Sequence, residues 1–113
     1  MFSLTTNNLV GKQTNMKATE VLRRRIPYTE VAFAELVLWQ LPAPPPGSAH
    51  VYKYRLVYVV RGVCVLRYDN ESGKGDHRHF KDKESRYGVD GVDKLLAAFQ
   101  RDIERINRED SDS

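Results

Sequence analysis

Apolar residues crowd the chain between Tyr28 and Leu41. On an extended backbone Val31, Phe33, Val37 and Trp39 share one side with Glu35, while Ala32, Ala34, Leu36 and Leu38 take the other. Both sides are apolar, which predicts a central and largely covered strand. Glu35 must then reach an edge or pair with a base such as Arg55, because a buried carboxylate without a partner is too costly. Further on, Val51–Val60 and Val63–Tyr68 are two β-rich runs joined by Arg61-Gly62, a two-residue connection whose glycine suits the positive φ of a tight hairpin turn. Strict pairing outward from that turn sets Val60 opposite Val63 and ends with Tyr54 opposite Asp69. It makes Val57, Val59, Cys64 and Leu66 a core face, and it gathers Tyr54, Arg55, Arg67, Tyr68 and Asp69 at the far end. A slip of one residue would scatter that cluster.

The remaining pattern fills in the architecture. Ala18–Ile26 reads as a short strand closed by Pro27, and Pro42–Ser48 as a stiff loop between strands. Lys81–Arg86 is a charged connector. Val92, Leu95, Leu96, Phe99, Ile103 and Ile106 recur at helical spacing behind Asp90 and Asp93, which resemble a capping box. An Asp102–Arg105 pair is expected on the exposed side of this helix. The prediction is an α+β domain over residues 16–113: an antiparallel sheet of about four strands, with room for a short fifth, and a C-terminal helix packed on one face. Residues 1–15 lack a sustained period and are expected to be a disordered leader or a non-native extension, with Met16 as the natural start.

Composition narrows the function classes. The chain has 113 residues, of which 41% are hydrophobic and 29% charged, with a formal net charge of +3. That is a folded domain whose mild basicity permits a polyanionic partner without demanding one. Its single cysteine, Cys64, precludes an intrachain disulfide and reads as a small buried hydrophobe, consistent with a reducing cytoplasm. No apolar run approaches the roughly 20 residues that a membrane-spanning helix needs.

The candidate chemistry is concentrated between Tyr68 and His79, which hold two histidines, several acids, Lys74, Arg78 and a Gly73-Lys74-Gly75 turn. The turn lacks the spacing of a Walker phosphate loop. His77 and His79, two residues apart, point to one side of an extended segment, with Arg78 on the other. Two imidazoles can serve as base and acid in metal-independent RNA cleavage. Lys74, Arg78 and Arg55 would then stabilise the phosphorane, Tyr54 and Tyr68 would stack bases, and Arg67, Asp69 and Asn70 would complete the substrate side. This scheme needs no cofactor. Two alternatives stand beside it. One is a zinc- or manganese-dependent nuclease with His77, His79 and Asp76 or Asp69 as ligands, ranked lower because no cysteine or further histidine lies nearby. The other is a module that binds nucleic acid or protein through the same loop without catalysis.

The segments Lys53-Tyr54-Arg55-Leu56, Val63 to Glu71 and Gly73-Lys74-Gly75-Asp76-His77-Arg78-His79 resemble the TumE-like family of bacterial toxin–antitoxin proteins. So do Ala32 to Trp39, Pro46-Gly47-Ser48 and Leu95 to Arg105. The resemblance spans about Met16 to Arg108. It implies a small cytoplasmic toxin neutralised by a cognate helix-turn-helix antitoxin. From residue type, RNA is the expected substrate; no membrane is expected, and a homodimer is compatible. The ribonuclease assignments rest on residue type alone.

Overall fold

The computed structural model describes residues 18–71 and 74–112. The segment expected to be a leader lies outside them, as does Gly73. Six strands follow in order: β1 (Thr19–Thr29), β2 (Ala32–Gln40), β3 (Tyr52–Val60), β4 (Val63–Glu71), β5 (Gly75–Phe80) and β6 (Lys83–Arg86). They form one antiparallel meander in sequence order, and helix α1 (Val92–Asp112) packs on one face. The α+β class is as expected, but the sheet has six strands. The histidine-bearing stretch is itself strand β5, and the charged connector supplies β6. Short polar strands at a sheet edge lack the apolar alternation that marks inner ones, so their pattern alone does not announce them.

Strand β1 runs through Pro27 instead of stopping there. Among the described residues it pairs only with β2, and an edge strand can hold a proline because one side of its backbone makes no ladder bonds. The register shifts between Pro27 and Thr29, and the chain reverses at Glu30-Val31. The apolar stretch from Tyr28 to Leu41 therefore begins on the last two residues of β1, turns, and continues as β2. The proline loop joins β2 to β3 as expected. It folds back so closely that a Cβ on Gly75 would stand 3.2 Å from the Gly47 carbonyl oxygen, and Gly75 has φ +78°. Any other residue there would be strained twice over.

The β3–β4 hairpin decides everything that follows. At the Arg61-Gly62 turn both residues have positive φ, and Val60–Val63 and Val59–Cys64 pair as expected. Next comes a bulge. Tyr58 faces Leu66, so Val65 is an extra residue, and from there on Val57 faces Arg67, Leu56 faces Tyr68 and Arg55 faces Asp69. One inserted residue inverts the side-chain alternation of β4 relative to β3. The face expected to be core, with Val57 beside Leu66, does not form. Tyr54, Leu56 and Tyr58 instead share a face with Leu66 and Tyr68, and all five are at most 1% exposed. Cys64, two residues from the turn, is exposed and not buried.

This covered face is completed by Ala32, Ala34, Leu36 and Leu38 of β2, as their alternation predicts, and by Leu95, Ala98, Phe99, Ile103 and Ile106 of α1. The helix stripe is close to the predicted one. Each large side chain removed from water here stabilises the fold by about 1.5–3 kcal/mol. Hydrogen bonds pin the helix to the sheet: Tyr58 Oη donates to Asn107 Oδ1 at 2.7 Å and Tyr28 Oη to Gln100 Oε1 at 3.0 Å.

Candidate functional site on the open sheet face

Among the described residues no helix packs on the opposite face of the sheet. Because the strands are antiparallel and their registers continue from one to the next, side chains line up in rows across it. One row reads Arg23, Val37, Arg55, Asp69, His77 and Arg86, from β1 to β6. The next reads Arg25, Glu35, Val57, Arg67, His79 and Glu84. The β4 bulge creates these rows, since it turns Arg67 and Asp69 to the side of Arg55. Glu35 pairs across the sheet with Arg25, Nη1 to Oε2 at 2.7 Å, and not with Arg55. The expected need for a basic partner is met by the strand next door.

A groove of about 690 Å³ lies over β3 to β6, with Arg55, Arg67, Lys74, His77, His79 and Arg86 among its walls. Arg67 Nη2 lies 2.9 Å from His79 Nε2. A guanidinium only donates, so this nitrogen accepts, and a neutral ring must carry its proton on Nδ1. Glu84 Oε2 is 3.5 Å from His79 Nε2 and 4.0 Å from His77 Nε2, so one carboxylate oxygen spans both rings. Arg67 Nε is buried without a hydrogen bond; the Asp69 carboxylate beside it, at 3.3 Å, is out of line for one. Among the described residues Arg55 and Arg86 are exposed and in no ion pair.

Of the residues singled out from sequence, the open face brings together His77, His79, Arg55, Lys74, Arg67 and Asp69. The others lie on the covered side. Tyr54 and Tyr68 are each 1% exposed, so neither ring can stack on a base. Asn70 is buried as a structural bracket: its Oδ1 accepts from the Tyr54 N–H at 3.0 Å and its Nδ2 donates to the Tyr52 carbonyl at 2.7 Å. Arg78 Nε donates to Asp102 Oδ2 at 2.7 Å and to Tyr68 Oη at 3.1 Å, which ties β5 to α1 on the face away from His77 and His79. Asp102 is therefore committed to Arg78 and Tyr68, not to Arg105, whose Nε bonds Glu109 at 3.1 Å. Asp76 also faces away from His77 and His79. Its Oδ1 accepts from Tyr54 Oη at 2.7 Å and from His50 Nε2 at 2.9 Å. The Asp76–His77–His79 metal triad is not assembled, because adjacent residues of a strand point to opposite faces. Among the described residues no group of three or more His, Cys, Asp or Glu is placed to hold a metal ion.

Burial and the neighbouring carboxylates fix the phenols as neutral groups. Burial pushes the Tyr54 phenol well above its ordinary range, and the Asp76 hydrogen bond raises it further. Burial and then Asp102 do the same to Tyr68. Sequence reading missed three members of these clusters. His50 sits beyond the proline loop, and its Nδ1 accepts the Tyr52 N–H at 3.1 Å, so Nε2 carries the hydrogen given to Asp76. Glu84 and Arg86 lie in what looked like a connector. No signal marked His50; alternation across Lys83–Arg86 would have placed Glu84 and Arg86 on one side.

The family model described as Toxin TumE matches residues 6–107. No curated protein and no solved structure matches the chain. No helix among the described residues is long and apolar enough to cross a membrane.

Proposed function

The chain belongs to the TumE toxin family, and on that premise we propose that it is the toxin of a toxin–antitoxin pair and cleaves RNA on the open sheet face without a metal. The observation that supports this reading is the placement of two imidazoles on one carboxylate oxygen inside an arginine-lined groove. His79 Nε2, which holds its lone pair toward Arg67, takes the proton of a ribose 2′-OH as that oxygen attacks phosphorus. His77, whose Nε2 lies 4.0 Å from Glu84 Oε2, serves as the acid and gives a proton to the departing 5′ oxygen. The P–O5′ bond breaks, leaving a 2′,3′-cyclic phosphate and a 5′-hydroxyl. An incoming phosphate draws the Arg67 guanidinium from His79, which frees the base as the substrate is seated. Arg55, Arg86 and Lys74 supply the remaining positive charge for the phosphorane. Since one ring must be neutral and the other charged, the rate has a bell-shaped pH profile.

In this reading the chain works in the cytoplasm and a helix-turn-helix antitoxin neutralises it by binding. The test is purified protein on total RNA in excess chelator, with the new ends analysed. Cyclic phosphate ends that vanish with His77→Ala or His79→Ala support the scheme, and intact RNA or dependence on a divalent ion overturns it. A second reading, toxicity by gripping RNA alone, is favoured by the unpaired Arg55 and Arg86. Toxicity that survives the histidine substitutions but not Arg55→Ala would select it.

A further inference from the structure

We propose that the substrate is single-stranded RNA lying across the strands, from the histidines toward β1, with a base stacked on an Arg25–Phe33 platform. This rests on the RNA reading above and adds its substrate class. A second groove of about 630 Å³ opens over β1 to β3, lined by Arg23, Arg25, Glu35 and Val37, and it shares Arg55 with the histidine groove. The two make one track along the side-chain rows. From β5 to β1 the track crosses four strand spacings, on the order of 19 Å, enough for a few nucleotides. Arg23 and Arg55 stand in one row and Arg25 and Arg67 in the next. Among the described residues Arg55 is in no ion pair, while Arg23 sits against Glu20, Arg25 against Glu35 and Arg67 against Asp69. A phosphate backbone would therefore meet one free cation and exchange with carboxylates at the other three.

At the β1 end the Arg25 guanidinium carbon lies 3.8 Å from the centroid of the Phe33 ring. The Arg25 side chain is 61% exposed, so the outer side of the guanidinium plane faces water while Phe33 supports it from below and Glu35 holds it in place. Flat guanidinium planes and aromatic rings on a sheet are surfaces on which unpaired bases stack. A duplex buries its base faces and could offer this platform only its backbone. The geometry therefore favours a single strand over a duplex.

The experiment is fluorescence anisotropy with a labelled 2′-O-methyl octamer, which lacks the attacking hydroxyl and so reports binding apart from cleavage. The full chain should bind the single strand about tenfold more tightly than the same sequence as a duplex. Arg25→Ala and Phe33→Ala should each weaken the single strand by about tenfold and the duplex much less. Lys94→Ala, an exposed cation on α1, should change neither. Because Phe33 is half-buried its replacement can perturb folding; the exposed Arg25 keeps the test decisive. Equal affinity for duplex and single strand, an unchanged Arg25→Ala, or no binding of the octamer would overturn the proposal. Octamer binding that behaves as expected, with RNA never cut, would instead sink the catalytic scheme and leave this track standing.

Discussion

The two faces of this sheet draw on the same residue types and put them to opposite uses. Under the helix, His50, Asp76 and Tyr54 close on one another, and so do Arg78, Asp102 and Tyr68. Every charge there has a partner within 3.1 Å, and the phenols are held neutral. On the open side His79 shares its nitrogen with Arg67, Glu84 hovers between two imidazoles at 3.5 and 4.0 Å, and Arg55 points to water. Burial makes an unpaired polar group expensive, so the covered clusters must be complete within the protein. Most groups on the open face, Arg67 Nε excepted, are reached by water, which imposes no such demand and lets them keep capacity for a ligand. An incomplete set of bonds in a groove is thus a better mark of function than the presence of histidine or aspartate.

The sharpest way to break this contrast is to delete the open-face imidazoles. His77→Ala combined with His79→Ala should lower RNA cleavage by about 10³-fold or more while thermal unfolding shifts little. A double variant that still cuts and still kills would erase the distinction. The mirror experiment is Asp102→Ala. It strips Arg78 and the Tyr68 hydroxyl of their partner, and denaturant unfolding should show a loss of about 2–3 kcal/mol with activity per folded molecule retained.

Alkaline pH tests the covered phenols. Their folded pKa lies above the unfolded value of about 10, so the stability tied to each is complete below pH 10 and is lost as pH rises beyond it. Each neutral buried phenol should add up to about 1.4 kcal/mol per pH unit to that decline. Absorbance near 295 nm should show Tyr54 and Tyr68 ionising only as the sheet unfolds, and Tyr68→Phe should flatten the slope. Ionisation of all six tyrosines in the folded protein would refute it. The smallest expected effect is Arg55→Ala, a tenfold or lower loss of RNA affinity. It should also reduce the salt dependence of binding by roughly one phosphate contact. An unchanged salt slope would mean that Arg55 touches no phosphate.

Much of this protein could be read from residue order. The stripe from Leu95 to Ile106 has a helix's period, and Ala32-Ala34-Leu36-Leu38 has a strand's. The Arg61-Gly62 turn needs only φ > 0 at adjacent residues, a local demand that sequence expresses directly. The shared side of His77 and His79 follows from alternation alone. Those features depend on neighbours within a few positions.

Which face each set occupies was decided elsewhere. Tyr54, Leu56 and Tyr58 carry no charge, while Lys53 and Arg55 alternate with them; on β4 Leu66 and Tyr68 stand against Arg67 and Asp69. Burying both uncharged sets under one helix needs an offset that a regular hairpin from Arg61-Gly62 cannot provide. The fold meets it with one extra residue, Val65, and so moves Tyr54 and Tyr68 into the core and Arg67 toward the histidines. A bulge costs a locally broken ladder and is repaid only by long-range burial against α1. Sequence could place the imidazoles side by side, but only packing on the opposite face could give them their arginines.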